Sequence, residues 1–78
     1  DTIILDPPRA GCHNKLLHVL NDKKIQQIIY VSCNPATLAR DVKILCELSY
    51  QIELVQPVDM FPWTGHVETV VLISRVKD

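Results

Sequence analysis

The stretch IQQIIYVSCNPATLARDVKILCEL, residues 25–48, changes period in its middle. Ile28 to Val31 form an unbroken apolar run rich in β-branched residues, which predicts a strand buried on both faces, as in a parallel sheet. Further on, Leu38, Val42, Leu45 and Cys46 recur at helical spacing, which predicts an amphipathic helix with Cys46 in the core. Between the two patterns, Asn34 suits a helix N-cap and Pro35 the first helical position. A strand that runs directly into a capped helix is an α/β unit, and this reading fixes the fold class.

Working outward, TIILD (residues 2–6) reads as a short buried strand that ends at Asp6. PPRAG follows as a rigid loop. From Asn14 to Leu20, the residues Leu16, Leu17, Val19 and Leu20 predict a short amphipathic helix, closed by NDKK. Towards the other end, YQIELVQPVDMF (residues 50–61) reads as a third strand, with Pro57 marking a bulge or a sheet edge. PWTGH is a loop, and VETVVLISRV a fourth strand. The order is β-α-β-α-β-β: a mostly parallel sheet with right-handed crossovers whose last two strands pair antiparallel.

The 78 residues allow one small domain, for which a self-sufficient core is hard to build. The chain starts without Met, opens straight into a strand and is 47% hydrophobic, so it reads as a segment of a larger core. No apolar stretch approaches the ~20 residues of a membrane span, and no signal-peptide pattern is present. The three cysteines, Cys12, Cys33 and Cys46, include no CxxC pair. That argues against a zinc site or a disulfide framework and fits a reducing, cytoplasmic setting. A net charge of −1 gives no bulk electrostatic signal for nucleic acid.

In open α/β sheets, sites lie beyond the carboxyl ends of the strands. Asp6, Ser32 with Cys33, and Asp59 end successive strands, and the loop to His66 and Glu68 follows, so the polar punctuation falls on one edge. Cys33 precedes a helix N-terminus, where unpaired N–H groups and the dipole favour a thiolate. Position alone leaves a buried filler and a nucleophile equally open. Glu68, at the start of an apolar strand, is either a base with a raised pKa or an edge charge. His66 is either functional or a plain hydrogen-bonding residue. His13 and His18 read as solvated. Asp6 could hold a ligand or cap a turn, and Arg9 could contact phosphate or a carboxylate. Phe61 and Trp63 could stack on a base or plug a loop. Arg40 and Asp41 read as a salt-bridged helix face.

Three stretches together resemble the RNA 5-methyluridine (uracil-5-) methyltransferase family: DPPRAG (residues 6–11), IIYVSCNPAT (28–37) and VDMFPWTGHVE (58–68). The resemblance spans nearly the whole chain, and the order and spacing of the motifs make it specific; Trp63 departs from the family pattern. It implies the C-terminal half of a Rossmann-like methyltransferase domain that uses S-adenosylmethionine. It implies Cys33 as nucleophile, Glu68 as general base and Asp6 in the methyl-donor pocket, with Pro7, Arg9, Asn34 and His66 as pocket candidates. The family's glycine-rich donor loop, its RNA-binding domain and the cysteine cluster that holds an iron–sulfur centre in some members have no counterpart in these residues, so most of the donor site, and any such cluster, is expected elsewhere in the full-length protein and the segment alone is expected to be inactive. The implied partner is RNA, with the ending LISRVK closer to the branch acting on large-subunit (23S) rRNA than to the tRNA branch. No membrane partner is expected, and an exposed first strand would favour self-association.

Three other readings remain. An amino-group methyltransferase shares an Asp/Asn-Pro-Pro loop but carries an aromatic residue where Arg9 stands. A cysteine hydrolase would pair Cys33 with His66, yet Asn34 and Pro35 occupy the place of an oxyanion-hole glycine. A non-catalytic interaction module would have no need of Cys33 and Glu68.

Overall fold

A computed structural model describes residues 1–8, 10–61 and 66–76, and for 59–61 and 66–67 the backbone alone. The elements are β1 (Thr2–Leu5), α1 (Asn14–Asp22), β2 (Gln27–Ser32), α2 (Pro35–Leu48), β3 (Tyr50–Phe61) and β4 (His66–Arg75). The β-α-β-α-β-β order expected from the sequence is present. The strands form one sheet in the order β1-β2-β4-β3. β1 and β2 pair in parallel, whereas β4 runs antiparallel to both β2 and β3.

Three strands therefore share one direction, and the last runs against them, as expected. Its position was not foreseen. β4 inserts between β2 and β3, so two of the three ladders are antiparallel and the sheet is mixed rather than mostly parallel. β4, antiparallel to both, fills the gap between its predecessors. Pro57 lies on the edge strand β3, the place in a sheet that tolerates proline, and a register shift follows it between Val58 and Phe61.

One face of the sheet carries the core. Ile28 and Tyr30 of β2 sit opposite Ile73 and Val71 of β4, and all four are buried. Leu17 and Leu20 from α1 and Leu45 from α2 join the same cluster, with Cys12 and Tyr50 at its margins. Because both helices feed one cluster, the other face stays open. Ile29 and Val31 are only half-buried, and Ile4 is exposed, so the expected burial of Ile28–Val31 on both faces holds for one face only.

Asn34 and Pro35 act as the sequence indicates. The Asn34 side chain caps α2 by accepting from Ala36 N at 3.1 Å, and Pro35 opens the helix. α1 is capped by His13, whose Nδ1 accepts from Lys15 N at 3.2 Å. Cys46 departs from expectation and is exposed. The buried line of α2 runs through Asp41 and Leu45, and Cys46, one residue past Leu45, is turned about 100° away from it. A carboxylate occupies the core position that the pattern of apolar residues alone would not assign.

Candidate active site

β1 and β2 end on the same side of the sheet, and β4 begins there. The register pairs Ser32 with Thr69. Cys33 follows Ser32 and Glu68 precedes Thr69, so both lie at this end of the β2–β4 pair. Leu5 pairs with Tyr30, so Asp6 leaves the sheet at the same end, one strand over. The backbone thus brings Asp6, Cys33 and Glu68 to one edge in the lateral order Asp6–Cys33–Glu68.

Cys33 is exposed and held in a tight turn. Ser32 Oγ accepts from Asn34 N at 3.0 Å and donates to Asn34 O at 2.9 Å, which brackets the cysteine between two fixed neighbours. Asn34 in turn caps α2, and its carbonyl accepts from Leu38 N at 3.0 Å and from the Thr37 hydroxyl at 3.2 Å. Cys33 thus stands one residue before the N-cap of α2, where Asn34 takes up Ala36 N and Leu38 N. Glu68 is half-buried opposite Val58, near the bulged end of β3. Asp6 is exposed and Pro7 half-buried. Arg9 and Trp63 lie outside the described residues, as do the side chains of His66, Asp59 and Phe61.

The Pro-Pro loop after β1 folds back towards α2. Gly11 N donates to Pro8 O at 2.8 Å, and Gly11 adopts φ +87°, a conformation glycine takes without strain. Beyond the loop lies a group that the sequence reading placed on the surface. The expected salt bridge between Arg40 and Asp41 is present at 2.9 Å, but Asp41 is completely buried while Arg40 is exposed. Its Oδ2 accepts from Cys12 N at 2.8 Å and from the Tyr30 hydroxyl at 2.5 Å. Its Oδ1 takes Arg40 Nε at 3.1 Å and Nη2 at 2.9 Å, and the same Nη2 reaches the carbonyls of Ala10 at 3.2 Å and Cys12 at 3.0 Å. Burial, and then donation to Asp41, push the Tyr30 hydroxyl well above its ordinary value. Burial, and then the Asp41 charge, push the Cys12 thiol up. The signal for this cluster was visible: Asp41 falls three residues after Leu38 and four before Leu45, on the apolar stripe. A charge on such a stripe calls for partners, and the sequence does not say which ones.

A concavity of about 460 Å³ opens beside β1, lined by Ile4, Leu5, Asp6, Pro7, Pro8, Gly11, Cys12, His13 and Leu16. It is mostly apolar, with one carboxylate at its rim. That composition suits one wall of a site for a flat aromatic or aliphatic group bearing a cationic centre.

A family model described as tRNA (Uracil-5-)-methyltransferase matches residues 1–76. An uncharacterized RNA methyltransferase of Bacillus cereus is 60% identical over 77 residues, which cover 99% of this chain and 17% of that protein. One from Clostridium acetobutylicum is 58% identical over 76 residues, covering 97% of this chain and 16% of the relative. Among solved structures, the Pyrococcus abyssi tRNA (uracil-54, C5)-methyltransferase in complex with S-adenosyl-L-homocysteine superposes with a TM-score of 0.82 at 53% identity, over 94% of this chain and 18% of that one. The chain thus spans about one sixth of the length of the curated relatives it matches.

Proposed function

Since the chain belongs to the tRNA (uracil-5-)-methyltransferase family, we propose that it supplies the nucleophile and base edge of an enzyme that converts uridine in RNA to 5-methyluridine. The observation that carries this reading is the register that pairs Ser32, the residue before Cys33, with Thr69, the residue after Glu68. The two roles act on adjacent ring carbons, so thiol and base must be close neighbours.

The Cys33 thiolate adds to carbon 6 of uracil, forming an S–C6 bond and placing the electron pair on the carbon 5–carbonyl enolate. S-adenosylmethionine, when bound, would supply an electrophilic methyl group for carbon 5, its S–CH3 bond breaking as the C5–CH3 bond forms and S-adenosylhomocysteine leaving. Glu68 then takes the carbon 5 proton, the C5–C6 double bond re-forms and the S–C6 bond breaks, returning the thiolate. The uridine must leave its stack to reach an edge recessed between strand ends. The concavity beside Asp6 fits one wall of the donor site: its apolar lining suits the adenosyl group, and the Asp6 carboxylate suits a cationic one. Pro7, Arg9, Asn34 and His66 are assigned to the surrounding pocket. In a chain spanning one sixth of its relatives, the remaining walls and the RNA-binding surface belong to other residues, and the segment alone is inactive.

For the RNA, the ending LISRVK favours large-subunit rRNA. A second reading, tRNA, is favoured by the solved relative, which acts on uracil 54 of tRNA. The test uses a full-length host, a family member in which this chain replaces the matching segment. Incubated with 5-fluorouridine RNA and S-adenosylmethionine, the host forms a covalent protein–RNA adduct and Cys33→Ala does not. An adduct that survives Cys33→Ala overturns the assignment. Running the assay on tRNA and on rRNA transcripts separates the two substrate readings.

A further inference from the structure

The helix that carries Cys33 at its amino end also grips the Pro-Pro loop two turns later. Three observations meet at this grip. Asp41 has no exposure and spends Oδ2 on Cys12 N, the residue that ends the loop, and on Tyr30 of β2. Arg40 spans Asp41 and two loop carbonyls, Ala10 and Cys12, with one guanidinium. Gly11 passes so close that a Cβ there would lie 2.8 Å from Arg40 Nη2 and 2.9 Å from Asp41 Oδ2. β2 leads to Cys33, α2 leaves it, and the loop begins at Asp6, so one carboxylate ties together the three segments that surround the site.

We propose that Asp41, acting through Arg40 and Tyr30, is a positioning residue that fixes the Asp6–Cys12 loop against the helix bearing Cys33, and so sets the donor side of the site at a defined distance from the thiol. This rests on the reading of Cys33 as nucleophile and of the Asp6 loop as part of the donor site. Asp41 touches neither reacting atoms nor Cys33. Its effect is on where the loop stands, and a misplacement of about 1 Å can cost about 10²-fold in rate. An arginine suits the bridging role because its planar fork reaches carboxylate and carbonyls together, which a lysine ammonium does not reproduce.

The test uses the same full-length host, with rates normalised to folded protein. Asp41→Asn keeps the shape but removes the charge that holds Arg40. Single-turnover methylation is expected to fall at least ten-fold, with KM for RNA within two-fold and with the rate of Cys33 alkylation by iodoacetamide unchanged. A purely structural role would leave methylation per folded molecule untouched, or would lower alkylation along with it, and either result overturns the proposal. If Asp41→Asn does not fold, Arg40→Lys carries the test. It retains the neutralising charge and loses the bridge, and the same split between methylation and alkylation is expected at several-fold. Cys33→Ala, run alongside, separates the two readings. If its adduct persists, the site assignment falls and this proposal with it. If the adduct is lost while Asp41→Asn and Arg40→Lys both methylate within two-fold of the parent, the positioning role alone is overturned.

Discussion

Two polar locks hold the sheet to its helices, one at each end, and they are built from different chemistry. Each contains a buried tyrosine and an arginine. At the site end, Tyr30 and Arg40 converge on the carboxylate of Asp41, which is wholly out of water. At the far end, the Tyr50 hydroxyl donates to backbone carbonyls, Ile25 at 2.6 Å and Leu20 at 3.2 Å. There Arg75 Nη1 reaches the Asn21 side chain at 3.0 Å, and Arg75 Cζ lies 5.7 Å from the Tyr50 ring centre. Neutral backbone carbonyls near a helix end accept such a bond readily, and that suffices to close a fold. A buried charge is a costlier joint and is strongly destabilising when one partner is removed. Among the described residues the buried charge lies at the end that gathers Asp6, Cys33 and Glu68, which marks that end as the one where geometry matters beyond folding.

The sharpest way to break this contrast is to remove the carboxylate. Asp41→Ala leaves the Tyr30 hydroxyl, the Cys12 N–H and the Arg40 guanidinium without their common partner. The expected cost is about 3 kcal/mol, comparable to the whole margin of a domain this small, roughly 3–5 kcal/mol. Urea unfolding followed by circular dichroism should show the transition lost or moved close to zero denaturant. A midpoint that moves by less than one kcal/mol equivalent would mean that the charge is solvated and that the two locks do not differ in kind.

How much of this was legible beforehand depends on what each signal encodes. Period and capping encode local structure, and Asn34, Pro35, the strand over residues 50–61 and the strand order along the chain were read correctly from them. The one-edge gathering of Asp6, Cys33 and Glu68 was also legible, because strand ends in an α/β order fall at predictable places. The insertion of β4 between β2 and β3 was not, since pairing partners are a long-range property. The burial of Asp41 and the exposure of Cys46 were missed for one shared reason, although the salt bridge of Asp41 with Arg40 was read correctly. Reading a helix by its apolar residues alone placed Cys46 in the stripe and left Asp41 out, whereas the hydrogen bonds offered by Tyr30, Arg40 and Cys12 make a carboxylate the better core residue. Those partners come from β2, the Pro-Pro loop and the adjacent helix position, and no local pattern brings them together.

Alkali should act on the same end, with a smaller effect. Folding raises the pKa of Cys12 above its ordinary 9.0, by burial and then by the Asp41 charge, and that of Tyr30 above its ordinary 10.0, by burial and then by donation to Asp41. Both groups are neutral when protonated, so the folded state holds its protons more tightly than the unfolded chain. Their contribution is fully present below the unfolded values and is lost as pH rises through the folded ones. The unfolding free energy should therefore decline above about pH 9, with a slope approaching ~1.4 kcal/mol per pH unit for each proton released. Cys12→Ala should flatten the first part of the decline, between pH 9 and 10. Stability that stays level to pH 10.5 would contradict burial of these two groups beside a charge.

Tyr50→Phe probes the far lock, where the expected effect is smallest. The substitution keeps the ring and its packing against the core, and removes one hydroxyl that serves two carbonyls. Those carbonyls are neutral acceptors, and Ile25 is only half-buried, so water can take over part of the bond. The net loss should be about 1 kcal/mol. Tyr30→Phe removes the same atom from a bond to a buried carboxylate, for which the cost is about 2 kcal/mol, because a charged acceptor roughly doubles the strength and cannot turn to solvent. The ratio of the two tyrosine substitutions, measured by urea unfolding under one condition, therefore reads the difference between the locks directly. Equal costs would mean that the Asp41 charge contributes nothing beyond an ordinary acceptor. A Tyr50 variant costlier than the Tyr30 variant would relocate the critical joint to the end of the sheet far from Cys33.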